Sequence, residues 1–412
     1  MLRKEILEQV IVTQHDWILK TDKGIKREVN VQNKLLPKFA FVISGIRRCG
    51  KSTLLYQILN SQKKFYYLNL EDPKLEGFDL QDFSKTEDIF SELYGTKGIY
   101  FFDEIQNVDK WETYIRYLVD KGNKVVLTGS NASLLSKELG SKLTGRHLGL
   151  ELFPFSYSEF LTFFSLKASE PSFNKYLFKG GFPEFLKRDD ETLLHELLND
   201  ILMRDIVVKY GIRNTQLLKK LALYLLSHVG RPFSFNKLKK MFEIKSVQTV
   251  IDYIAYFEDA YLLFTLPRFS YSYKKQQINP KKIYSIDTGF SHANSVSFSK
   301  DKGRILENCV FLALKRIYKE IFYFQGDKEC DFIVKDKDDI VIALQVCYKV
   351  TDENENREVQ GLLEAMKECD IKKGLILTYN QKDEIEVQEK KIELKPVWEW
   401  LLDTKQRSCK LI

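Results

Sequence analysis

The stretch from Phe39 to Leu59, FAFVISGIRRCGKSTLLYQIL, constrains this chain more than any other. A short apolar run, a glycine-bounded loop and an apolar pattern at helical spacing follow one another, which predicts strand, loop and helix in succession. Within it, Gly45 to Ser52 fits the Walker A pattern, whose spacing turns consecutive backbone N–H groups inward around a polyphosphate. Gly45 and Gly50 permit backbone torsions and a close approach that a side chain would block. Lys51 stands where an ammonium reaches the β and γ phosphates, and the Ser52 hydroxyl is placed to hold Mg²⁺. The expected cradle is Gly45, Ile46, Arg47, Arg48, Cys49, Gly50, Lys51, Ser52 and Thr53. A helix opening near Lys51 adds the positive end of its dipole.

A glycine-rich turn can match such a pattern by accident, so the downstream context matters. Gly98-Ile99-Tyr100-Phe101-Phe102-Asp103-Glu104 reads as a buried strand ending in two carboxylates, as a Walker B strand requires. Asp103 is then the metal-side acid and Glu104 the group that orients or polarises a water. Together the two stretches predict a site for ATP and Mg²⁺.

At 412 residues the chain exceeds what one hydrophobic core usually supports, which suggests two to four domains. A formal charge of +7 permits an acidic partner without demanding one. The opening MLRKE lacks an apolar signal core, and no apolar run approaches the roughly twenty residues needed to cross a bilayer. A cytoplasmic protein with no membrane partner is expected. Six cysteines without a CxxC pair and five scattered histidines argue against a zinc site or disulfide framework.

In chain order, residues 1–36 read as a helical arm and 37–165 as an α/β core. Its strands include Phe65 to Leu70 and Lys124 to Asn131, and strands alternating with helices imply a parallel sheet. Ser130 is the first choice for a residue sensing the γ phosphate and Asn131 the second, although both could simply cap the helix that follows. GGFPE at residues 180–184 suggests a tight turn of architectural value.

The series GIRRCGKST, YFFDEIQNVDKWE, VVLTGSNASLL, LTGRHLGLELFPFSYSEF and GGFPE resembles the prokaryotic AAA+-type ATPases of the archaeal ATPase group. RDIVVKYGIRN, GRILENCVFLAL, ECDFIV, LQVCY and REVQGLLEA continue the resemblance in order. It implies a P-loop NTPase parallel sheet and a restriction-endonuclease-like, PD-(D/E)XK, α/β domain at 296–412, with a helical lid expected at 166–230 and a winged helix at 231–295 between them. By similarity Lys51, Ser52, Asp103 and Glu104 take the nucleotide and Mg²⁺ roles, and Ser130 the sensor position. Arg146 becomes a candidate to reach a γ phosphate across a subunit boundary in a homo-oligomer, or else a surface residue holding a loop. Arg204, beside Asp205, is a second candidate, set against an ordinary helix-face ion pair.

Two helical patterns around Ser234 and Ser246, then Tyr261 to Phe264 and Lys282 to Ile286 as strands, read as a winged helix. Arg268, Tyr271, Tyr273, Lys274, Lys275, Lys281 and Lys282 are expected on or beside its wing, as phosphate-binding cations and base-stacking rings for DNA, or as a merely solvated loop. In the last domain Glu307 and Asp331 match the first two nuclease positions. Gln345 stands where a second strand acid is expected, and Cys347 where the lysine belongs. A neutral amide is a poor ligand for a hard cation and a thiol carries no positive charge, so a binding domain is expected over a cleaving one. Lys349 lies about 7 Å too far along the strand to replace that lysine without bending back. Three readings stay open: an ATPase controlling a module on DNA or a protein partner, which is preferred; an ATP-regulated DNA nuclease; and a STAND-like nucleotide-gated scaffold.

Overall fold

The computed structural model describes residues 1–135, 143, 145–296 and 301–403. Thr144 of the LTGRHLG segment and residues 404–412 of the last expected domain lie outside the described residues. The chain divides into two compact units, Met1–Leu152 and Phe153–Ile412. No helix among the described residues is long and apolar enough to cross a membrane.

The first unit is built on a parallel sheet of β1 (Ala40–Ser44), β2 (Phe65–Asn69), β3 (Ile99–Asp103), β4 (Val125–Gly129) and β5 (His147–Glu151). Their spatial order is β2-β3-β4-β1-β5. Every residue of β1 is buried, so Ala40 and Val42 serve one face while Phe41 and Ile43 serve the other. That nearly continuous apolar run is what a strand covered on both faces demands, and Phe41, Val42 and Ile43 are each worth about 1.5–3 kcal/mol of burial. Helix α1 (Lys4–Lys20) lays Leu7, Val10 and Ile11 into the same core as Leu68, Phe102 and Leu127. Leu7, Val10 and Ile11 recur at helical spacing, so one stripe of α1 is enough to dock it. Helices α2 (Lys51–Leu59), α3 (Asp82–Tyr94) and α4 (Trp111–Asp120) complete the crossovers.

Strand order gathers the motifs. β4 pairs with both β1 and β3 in parallel, Ser44 opposite Gly129 and Phe102 opposite Leu127. The carboxyl ends of three neighbouring strands therefore open on one edge, where α/β sheets bind ligands.

In the second unit, short helices lead into a helix at Thr192–Asp200 that continues as a π-helix over Ile201–Val208. The GGFPE turn is architectural in a specific way. A Cβ on Gly180 would stand 2.0 Å from Asp287 Oδ1, and one on Gly181 would stand 2.3 Å from the Phe155 carbonyl. Asp287 caps the helix Thr288–Ala293 and accepts from the Gly181 N–H at 2.7 Å.

Helices Phe235–Met241 and Val247–Asp259 start at the serine caps Ser234 and Ser246. They precede an antiparallel sheet of order β6-β8-β7, formed by β6 (Pro232–Phe233), β7 (Leu263–Leu266) and β8 (Lys281–Ser285). A mixed six-stranded sheet follows, made of β9 (Glu320–Gln325), β10 (Glu329–Asp336), β11 (Asp339–Cys347), β12 (Lys373–Thr378), β13 (Asp383–Val387) and β14 (Lys390–Pro396). It is ordered β13-β14-β12-β11-β10-β9, with the helix Lys302–Lys315 before it and Glu355–Glu368 inserted after β11.

Two expectations for the basic loop are corrected here. Lys282 is not on a solvent-facing wing: it is buried, because three carboxylates of the same unit gather round its ammonium. Arg268 is likewise tied down, donating to the Gln325 carbonyl at the edge of β9. Tyr271, Tyr273, Lys274 and Lys275 are exposed, as expected.

Candidate functional site

The loop after β1 is shaped by contacts that only glycine tolerates. A Cβ on Gly45 would fall 2.1 Å from the Leu152 carbonyl, while Gly50 holds a left-handed backbone at φ +99° as it caps α2. Arg48 also takes a positive φ. The loop is braced from below by Arg27, a buried residue of the N-terminal segment, whose Nη1 donates to the Cys49 carbonyl at 2.9 Å. Cys49 and Ile46 are fully buried. Burial pushes the Cys49 thiol up, so it stays neutral and packs against the Leu152 carbonyl at 3.4 Å. Arg47 points outward to Glu71 at 3.2 Å, and Thr53 is half-buried on α2.

Lys51 is buried, and its ammonium donates to the Ile46 carbonyl at 3.1 Å. Glu104 Oε1 lies 3.7 Å away. Across from it stands Asp103, which accepts from Ser52, from the Thr128 hydroxyl and from the Tyr67 hydroxyl at 3.3 Å. Burial, then the neighbouring charge of Glu104, push the Asp103 carboxyl up to about 6. A buried carboxylate touching the Ser52 hydroxyl at the end of the strand presents hard oxygens, and these fit Mg²⁺. Ser52 and Asp103 present the oxygens such an ion would take.

Glu104 sits at φ 52°, ψ 51°, with its N–H donating to the Thr128 hydroxyl at 3.0 Å. Its carboxylate accepts from Gln106, whose amide nitrogen also lies 3.4 Å from Ser130 Oγ. Among the described residues, the Gln106 carbonyl oxygen is buried without a hydrogen-bond partner. Gln106 thus joins the strand-end acid to the sensor candidate. Ser130 and Asn131 are both buried and precede a 3₁₀ turn at Ala132–Leu135.

Other candidates lie apart from this cluster. Arg146 ion-pairs with Asp120 and its carbonyl accepts from Ala40 N–H, which places it at the amino end of β1, opposite the phosphate loop. Five strand residues separate those ends, about 16 Å, so its own loop is out of reach. Arg204 is exposed and lies 3.7 Å from Asp200 one turn back.

In the second unit Glu307 and Asp331 do come together, but around Lys282. Gln345 accepts from the Asp331 N–H at 3.0 Å and donates to Glu358 at 2.6 Å. An acid at position 345 would instead face the Glu358 carboxylate. Burial, then Glu358, push the Cys347 thiol up to about 11, and Lys349 is exposed.

Residues 37–161 match the family described as an AAA domain, and residues 170–301 match a domain of unknown function, DUF8612. Over 98% of its length the chain is 37% identical to the uncharacterized protein MJ1544 of Methanocaldococcus jannaschii, spanning 96% of that protein. It is 29% identical, over 88% of its length, to 94% of an uncharacterized protein of Haemophilus influenzae. Among solved structures, AMPPCP-bound DnaA from Aquifex aeolicus aligns with 61% of this chain and 88% of its own at 16% identity and a TM-score of 0.28.

Proposed function

We propose, for a chain that belongs to the family of the M. jannaschii protein MJ1544 and matches an AAA domain over residues 37–161, Mg²⁺-dependent binding and hydrolysis of ATP. The observation that carries this reading is the convergence of Lys51, Ser52, Asp103 and Glu104 at the carboxyl edge of one parallel sheet. Lys51 exchanges the Ile46 carbonyl for β and γ phosphate oxygens, so its ammonium is never left bare. Loop N–H groups and the start of α2 receive the remaining phosphate charge. Mg²⁺, when bound, draws charge from the phosphates and orients them for in-line attack. Ser52 and Asp103 hold that ion, while Glu104 orients the attacking water. Gln106 keeps the Glu104 carboxylate aimed and ties it to Ser130. Any part played by Arg146 requires a second copy of the chain.

The nucleotide cycle, on this reading, controls the helical, winged-helix and nuclease-like parts of the second unit, at 166–230, 231–295 and 296–412. These act on DNA or a protein partner by binding, with exposed Tyr271, Tyr273, Lys274 and Lys275 as the nucleic-acid-facing group. The test is ATP turnover with and without single- and double-stranded DNA. Turnover abolished in Lys51→Ala and stimulated by DNA supports the reading, and turnover unchanged in Lys51→Ala overturns it.

A further inference from the structure

Lys282 is drawn into an acidic cluster from outside the six-stranded sheet, and its side chain is 1% exposed. Its ammonium stands 2.9 Å from Glu307 Oε1, 2.8 Å from Asp331 Oδ1 and 2.7 Å from Glu329 Oε1. An ammonium has three N–H donors, and here each meets a different carboxylate. The oxygens are committed elsewhere too. Glu307 Oε1 also accepts from the Tyr284 hydroxyl at 2.6 Å, and Asp331 Oδ2 accepts from Val346 N–H at 3.0 Å.

The carboxylates come from the helix Lys302–Lys315 and from β10, the elements that carry Glu307 and Asp331 in the nuclease resemblance. The residues present do not fit a divalent metal there. Such an ion takes its hard oxygens from carboxylates and water, but the centre that Glu307, Glu329 and Asp331 surround already holds a covalently attached cation. Burial pulls the Lys282 ammonium down. Asp331, Glu307, Tyr284 and Glu329 together outweigh that and hold it well above its ordinary value, so the charge stays in place.

We propose that Lys282 is the resident cation of this cluster: its ammonium fills the position a divalent metal would need, and it fastens β8 of the three-stranded sheet to β10 of the six-stranded one. The acids are kept for cohesion, and the domain binds no catalytic metal while Lys282 is present. The corollary is a latent divalent-cation site, exposed by removing one amine. This inference stands on the side chains of the second unit and is independent of the nucleotide reading.

The experiment is Mn²⁺ binding to the full, nucleotide-free chain, followed by the electron-spin signal of free Mn²⁺, with folding checked by circular dichroism. Wild type and Asp331→Asn are expected to titrate alike. Lys282→Met should gain one Mn²⁺ per chain, at least about tenfold tighter than wild type binds the ion, and lose it again when combined with Asp331→Asn. Wild-type binding of one Mn²⁺ that Asp331→Asn removes overturns the proposal, as does a folded Lys282→Met chain with no gain. Should Lys282→Met fail to fold, the wild-type and Asp331→Asn titrations decide it alone. None of these results bears on ATP binding, which the Lys51→Ala measurement tests separately.

Discussion

Lys51 and Lys282 are each almost wholly buried beside carboxylates, at 3% and 1% side-chain exposure. Among the described residues, the Lys51 ammonium makes one hydrogen bond, to the carbonyl of Ile46, and its nearest acid is 3.7 Å off. Lys282 meets three acids, each within 2.9 Å. A buried cation with spare donors beside a buried acid is held in readiness for a ligand. One whose donors are all used is part of the core. The residue types barely differ between the two clusters, so function is decided by how much hydrogen-bonding capacity the fold leaves over.

The sharpest way to break the comparison is to remove both amines. Lys51→Ala should cost at least about a hundredfold in ATP affinity, measured by calorimetry, because the phosphates lose the buried ammonium that faces them. It should leave the urea midpoint nearly unchanged. Lys282→Ala should do the opposite, costing about 3–5 kcal/mol in urea unfolding by leaving buried acids without a cation, with ATP affinity intact in the folded fraction. Equal stability losses in the two variants would erase the distinction.

Next in size, Glu104→Gln should bind ATP as wild type does and lose about 10²–10⁴ in turnover, the usual contribution of a positioned base. Wild-type turnover would mean another group activates the water. The raised carboxyl of Asp103 gives a pH signature, since a metal ligand must shed its proton. Mg²⁺-dependent ATP affinity should be level above pH about 6 and fall about tenfold per unit below it, and Asp103→Asn should abolish the pH dependence. The smallest effect expected is for Gln106→Ala, about two- to tenfold in turnover at unchanged ATP affinity, from loss of one aligning hydrogen bond.

What could be read from the sequence was local. The loop from Gly45 to Ser52 and the pair Asp103-Glu104 each carry their chemistry within a few consecutive residues, and strand burial does not disguise it. Arg27, Tyr67 and Gln106 are harder to read because each acts through a residue on another element: Arg27 on Cys49, Tyr67 on Asp103, Gln106 on Ser130. The signal for Gln106 was its place two residues after Glu104, where the chain turns back over the strand ends. Lys282 was misplaced for the same reason. Read along the chain it belongs to a basic run, and only the pairing of β7 with β8 turns it inward while Lys281 stays half-buried. Gln345 and Cys347 depart from the residues a metal site needs, and the ammonium that sits between Glu307 and Asp331 comes from more than sixty residues earlier.

The central claim is that the loop before α2 cradles a triphosphate. Calorimetric titration of nucleotide-free chain with ATP and Mg²⁺ tests it most directly. The account predicts one saturable site per chain, present in wild type and Glu104→Gln and absent in Lys51→Ala; no measurable binding, or equal binding in wild type and Lys51→Ala, would contradict it.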